Sequence, residues 1–211
     1  MTAPKPLLVV DCDEVLLHMV VPFRQWLDEE HHIHFDFNSG FAEALRHKQT
    51  GELVASPLIW QLLNSFFQTQ MHRQYPIEGA AEALNLLGEQ ADVVILTNIG
   101  EFTTASGRTE QLRRVGIDFP VVANRGGKGR PLAGLIDQYR PSLTIFFDDL
   151  AENHASAARH ASSAWRLHMV GEPELAPNIQ PSPDAHARID RWSEARRWVE
   201  EIFAKGKPFS Q

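Results

Sequence analysis

An α/β fold with a parallel sheet covered on both faces is predicted by three observations. Short apolar runs of strand length recur at residues 7–10, 92–96, 143–147 and 164–170, and Val121 and Val122 mark one more. These runs are continuous rather than alternating, as expected of strands buried on both sides. Amphipathic helical patterns lie between the later runs, the order that builds a parallel sheet.

Each helix is legible from its spacing and its ends. Residues 80–90 place Ala80, Leu84 and Leu87 on one side, and Gly88 offers a late stop. Pro131 suits a first helical turn, and Leu132, Leu135, Ile136 and Tyr139 follow at i, i+3, i+4 and i+7. A last helix from about Ser193 turns Ala195, Trp198, Val199 and Ile202 inward. The stretch 18–74 breaks the alternation. It reads as mainly helical, with one apolar stripe at Ile59, Leu62, Leu63, Phe66 and Phe67 and a second at Phe23, Trp26 and Leu27. A small helical cap fits such a long insertion better than a structureless loop. The expected organisation is a core of residues 1–17 and 75–211 with a cap at 18–74. Pro173, Pro177, Pro181 and Pro183 mark a surface loop.

Composition narrows the function. The chain has 211 residues, 43% of them hydrophobic, which suits one domain with a modest insertion. A formal net charge of -7, with Lys and Arg scattered, argues against a nucleic-acid partner. Cys12 is the only cysteine, so no internal disulfide forms and a reducing compartment fits. No apolar stretch suits a secretory leader or a membrane span, so no membrane partner is expected and the expected location is cytoplasmic.

Four polar stations follow the strands. Asp11 and Asp13 close the first, at the carboxyl end where ligands collect in a parallel sheet. Two aspartates so spaced are common by chance, and a solvated strand end is the ordinary alternative. Thr97 and Asn98 close the second; a hydroxyl there can donate to a phosphate oxygen, and a local turn or helix cap is the alternative. Lys128 lies in the glycine-rich run from Asn124 to Arg130 before the Pro131 helix, an entry that can hold an anion or be a plain exposed turn. Asp148 and Asp149 close the fourth, and hard oxygen ligands from two strand ends are what Mg2+ requires.

The order of these stations resembles that of the haloacid-dehalogenase superfamily. Asp11-Cys12-Asp13-Glu14-Val15 is similar to its first motif, Thr97 to its second, Lys128 to its third, and Asp148-Asp149 to its fourth. The resemblance covers residues 7 to about 170. The insertion after the first motif is similar to the family's small helical cap, and residues 75–84 are similar to its return from cap to core. It implies a Rossmann-like core and an Mg2+-dependent phosphatase acting on a small-molecule phosphate monoester. It further implies Asp11 as nucleophile and Asp13 as general acid/base, with Thr97, Asn98 and Lys128 holding phosphate. The implied metal ligands are Asp11, Asp13 through its backbone carbonyl, and Asp149 ahead of Asp148. A phosphomutase or nucleotidase would use the same residues, and a non-catalytic protein of the same fold is the alternative from another class.

The chain departs from the family pattern in two places. Glu14 stands where relatives often have glycine, adding charge near the phosphate position, and either points away or tunes the substrate. Pro131 follows Lys128 at three residues rather than immediately, so Arg125 and Arg130 are alternatives for the cation. Asn153 is read as orienting Lys128 or the metal water, or as a plain helix-face residue. Arg24 and Arg46 are candidate cap contacts to the leaving group. His31, His32 and His34 do not share a helix face and read as a surface segment. Trp26, Trp60, Trp165, Trp192 and Trp198 read as packing residues.

Overall fold

The computed structural model describes residues 4–37, 44–99 and 105–209. Six parallel strands form the central sheet in the order β5-β4-β1-β6-β7-β8. They are β1 (Leu7–Val10), β4 (Asp92–Asn98), β5 (Val121–Asn124), β6 (Thr144–Asp148), β7 (Trp165–His168) and β8 (Ala187–Arg188). β1 lies between β4 and β6, with Val10 level with Ile95 on one side and Phe147 on the other. The acids after β1 and those closing β6 are therefore adjacent, at the carboxyl edge of the sheet.

Strand side chains alternate between two faces. Leu8 and Val10, with Ile95 and Phe147, pack under α3 (Ala80–Gly88), α4 (Ala105–Arg114) and α7 (Trp192–Lys205). Leu7 and Val9, with Val94, Leu96 and Phe146, pack under α5 (Gly129–Tyr139) and α6 (Ala151–His160). Both faces are buried, so β1 and the interiors of β4 and β6 are apolar. α4, α6 and the short β8 carry no apolar periodicity strong enough to announce them in the sequence.

Between β1 and α3 the chain builds α1 (Val20–His31), an antiparallel pair β2 (Ile33–Phe35) and β3 (Leu45–His47), and α2 (Ser56–Thr69). Their apolar residues form a cluster separate from both faces of the sheet, centred on Phe23, Trp26, Leu27, Phe35, Ile59, Leu62 and Phe66. The two helical stripes seen in the sequence are thus present. The β pair is an addition, because strands of three residues carry too little alternation to stand out. His31 ends α1 and His34 is exposed on β2. Trp26 and Trp192 are buried and Trp165 and Trp198 half-buried, but Trp60 is 59% exposed and does not pack as expected. It lies on the outer side of α2, whose buried side is Ile59, Leu62, Phe66 and Phe67.

Among the described residues no helix is long and apolar enough to cross a membrane.

Candidate active site

Asp11 follows β1 and is 6% exposed. Its Oδ1 lies 2.6 Å from Lys128 Nζ, which also donates to Asp148 Oδ2 at 2.8 Å. Lys128 is 1% exposed and so bridges the ends of β1 and β6 from inside the protein. Arg130, one alternative considered for this role, is exposed on α5.

Lys128 reaches the acids because its loop lies against α6. Gly129 N donates to Ser156 Oγ at 3.0 Å, and a Cβ on Gly129 would collide with the Ser156 carbonyl. Glycine is required there by close approach of two backbones, not by its dihedral angles.

The fourth station is held from several directions. Asp148 Oδ1 accepts from Leu150 N and Asn153 Nδ2, both at 2.9 Å. Asn153 therefore orients Asp148 rather than Lys128. His168 Nδ1 accepts from Ser182 N, so its Nε2 carries the proton and donates to the Asp149 carbonyl at 2.8 Å. His154 Nε2 donates likewise to the Asp148 carbonyl at 3.0 Å. Burial pushes both imidazoles down, His168 to about 4, which keeps them neutral donors.

Burial raises Asp11 to about 7, with Lys128 opposing the shift and Asp148 and Asp13 adding to it. Burial and the charge of Asp148 raise Asp149 well above the usual carboxylate range. One oxygen from each of Asp11, Asp148 and Asp149 lies within 4.8 Å of the others. Three acids against one lysine leave negative charge uncompensated, and an all-oxygen donor set suits a hard divalent cation such as Mg2+.

Thr97 is fully buried at the end of β4, and its Oγ1 has no hydrogen-bond partner among the described residues. Such a hydroxyl costs free energy unless something accepts its proton, as a phosphate oxygen would. Asn98 is placed differently from the expectation. Its Nδ2 donates to the Gly126 carbonyl and its Oδ1 accepts from Asn124 Nδ2, so the side chain ties β4 to the loop after β5.

Asp13 is gripped by partners the sequence did not reveal. Gln74 Nε2 donates to its Oδ1 at 2.6 Å, and Arg108 Nη2 to its Oδ2 at 3.0 Å. Arg108 is fully buried and also donates to Gln74 Oε1 and Gln111 Oε1, both at 3.0 Å. α4 reads as a solvated helix apart from Leu112. Only its position after β4 signals that its first turns face the site.

Glu14 does not join the group of Asp11, Asp148 and Asp149. Its Oε1 accepts from Met19 N at 2.8 Å and Val20 N at 2.6 Å, placing a carboxylate on the free amides at the start of α1. Its backbone has φ +59°. The first-motif loop is closed from below by Trp192, whose Nε1 donates to the Val15 carbonyl at 2.8 Å and whose ring stacks on Phe147.

Arg24 and Arg46 are both engaged elsewhere, Arg24 with Glu174 and Arg46 with the Gly51 carbonyl. Arg24 also lines a surface depression of about 580 Å³ bounded by α1, β2 and Glu174, to which none of Asp11, Asp13, Asp148 and Asp149 contributes.

Solved structures share this architecture over nearly their whole length. A haloacid dehalogenase-like family hydrolase from Streptococcus pneumoniae superposes with a TM-score of 0.62 at 12% identity, covering 94% of this chain and 100% of that one. The chain has the haloacid-dehalogenase-like fold. A haloacid-dehalogenase superfamily hydrolase of subfamily IA from Geobacter sulfurreducens matches at TM-score 0.56 and 14% identity, over 93% of this chain and 99% of its own. The D,D-heptose 1,7-bisphosphate phosphatase of B. bronchiseptica, solved with magnesium and phosphate, matches at TM-score 0.55 and 11% identity, over 93% and 99%. No sequence-family model and no curated protein sequence matches the chain. The haloacid-dehalogenase-like core is therefore recognised through its shape and the order of its polar stations.

Proposed function

We propose that the protein is an Mg2+-dependent phosphatase that hydrolyses a small phosphate monoester through a phosphoaspartyl intermediate on Asp11. The observation that carries this reading is the Asp11–Lys128–Asp148 bridge at adjoining strand ends beside the unpartnered Thr97 hydroxyl. The magnesium and phosphate in the heptose bisphosphate phosphatase of the same fold support it.

Asp11 attacks phosphorus, and the bond from phosphorus to the ester oxygen breaks. Asp13 gives its proton to the departing oxygen and later takes one from the water that cleaves the acyl phosphate. Lys128 and the Thr97 hydroxyl stabilise charge on the transferred phosphoryl oxygens. Asn98 contributes by fixing the loop that carries Lys128. The residues that would hold Mg2+ are Asp11, the Asp13 main-chain carbonyl and Asp149. Asp148 is the second choice for the last place, because both its oxygens already accept hydrogen bonds. When bound, Mg2+ supplies the positive charge that lets an anionic nucleophile approach an anionic ester.

Residues 18–74 act as the cap in this reading. Gln74 lies where that segment returns to the core and donates to Asp13. Asp13 is thereby positioned from the cap side through Gln74 and from the core side through Arg108.

The test is phosphate release from p-nitrophenyl phosphate and a panel of sugar phosphates, nucleoside monophosphates and phosphoglycolate. Activity is expected with Mg2+, lost with EDTA and abolished in Asp11→Asn. A pure, folded protein that releases phosphate from none of them would overturn the proposal.

A further inference from the structure

A second group of metal-ligating side chains lies on the other side of the first-motif loop. One carboxylate oxygen of Glu14, one of Glu172 and a ring nitrogen of His18 all lie within 4.8 Å of one another. All three residues are buried, at 1%, 4% and 9% exposure. None belongs to the acidic group of Asp11, Asp148 and Asp149.

The group is built rather than accidental. The His18 amide donates to the Tyr75 carbonyl, and its ring lies 4.5 Å from that of Tyr75. Gly171 N donates to the Glu14 carbonyl at 2.6 Å, bringing the segment after β7 onto the first-motif loop. A Cβ on Gly171 would run into Ile77, so this approach needs glycine. Glu172 Oε1 accepts from Glu174 N, and Oε2 lies 2.8 Å from His18 Nδ1.

Charge and hydrogen bonding are both left incomplete. Glu14 Oε1 takes the two amides of α1, but Oε2 is buried with no partner among the described residues. Neither Glu14 nor Glu172 has a lysine or arginine as an ion-pair partner among those residues. Two buried carboxylates match the charge of one divalent cation, and the imidazole nitrogen offers a third donor atom. Ligand atoms about 2.1 Å from such an ion lie roughly 3.0–3.4 Å apart, so the His18–Glu172 pair needs only a small adjustment.

We propose that Glu14, His18 and Glu172 form a second divalent-cation site. A mixed nitrogen and oxygen donor set selects a borderline transition metal such as Zn2+ over Mg2+. The bound ion ties the start of α1 to the segment after β7.

The test uses the full chain carrying Asp149→Asn, stripped of metal and titrated with Zn2+ against a chromophoric chelator. One Zn2+ per chain is expected, with the melting temperature rising as Zn2+ binds. Adding His18→Gln or Glu172→Gln should weaken that equivalent at least roughly tenfold. Circular dichroism checks folding, and Glu14→Gln replaces any variant that does not fold. No Zn2+ bound at submillimolar concentration, or binding unchanged in the folded variants, would overturn the proposal. Because the readout is metal stoichiometry, it is independent of whether the protein is a phosphatase.

Discussion

Replacing Asp11 by Asn should stabilise the metal-free protein while destroying its activity. Burial raises the Asp11 carboxyl from 3.8 to about 7, roughly three units at about 1.4 kcal/mol each. Holding Asp11 ionised in the folded state therefore costs about 4 kcal/mol above neutrality, with the attraction of Lys128 already included. The folded carboxyl keeps its proton where the unfolded one has lost it, so this group's stability is present below about pH 4 and is lost as pH rises to about 7. Asn avoids the penalty, fills the same volume and can still accept from Lys128. Relaxation of the site reduces the gain to about 2–4 kcal/mol, or roughly 4–16 °C in melting temperature for a chain of this size. Thermal unfolding in EDTA from pH 4 to 8 measures it. The gap between variant and wild type should widen through this window, then narrow when Mg2+ is added, because the cation favours the wild-type carboxylate. A gap that does not change with pH, or an Asn variant less stable than wild type at pH 8, would refute the reasoning.

Other perturbations have equally definite outcomes. Lys128→Met leaves Asp11 and Asp148 facing each other without a cation; it should cost about 3–5 kcal/mol at pH 8, and less near pH 5 where Asp11 holds its proton, by chemical denaturation. Gly129→Ala should lower stability by about 1–3 kcal/mol and reduce kcat, because α5 and α6 must separate to admit the methyl. His168→Phe keeps the ring but loses the bonds to Asp149 and Ser182. It should weaken Mg2+ binding roughly 10–100-fold by calorimetry. Wild-type stability attributable to His168 is present above pH 6.5 and falls as pH drops towards about 4, and His168→Phe should remove that acid sensitivity. Gln74→Ala should lower kcat more than it raises KM, read from steady-state kinetics, if its role is to position Asp13.

What the sequence revealed follows from how each element is buried. β1, β4 and β6 are apolar on both faces, and such runs end visibly when a carboxylate or hydroxyl appears. Asp11, Asp13, Thr97, Asp148 and Asp149 were legible for that reason. Lys128 was legible only as one of three cations, because the choice depends on Gly129 meeting Ser156 across the space between two helices. Gln74 and Arg108 were hidden because their partner, Asp13, lies 61 and 95 residues away and polar pairs carry no period. His154 and His168 were hidden in the same way, since they act on backbone carbonyls that every sequence possesses. Trp60 misled because an aromatic on an amphipathic helix was counted as packing without asking which side of α2 it occupies.

The hydrogen bond from Trp192 to the Val15 carbonyl gives assembly of the site a direction in time. The first-motif loop is synthesised before the indole that fixes it, which lies 177 positions further along the chain. Domains whose contacts span such separations close late and slowly. Until α7 docks, the Val15 carbonyl lacks this donor and the loop carrying Asp11 and Asp13 lacks the indole beneath it. The loop that bears Asp11 and Asp13 is thus completed only once α7 is in place.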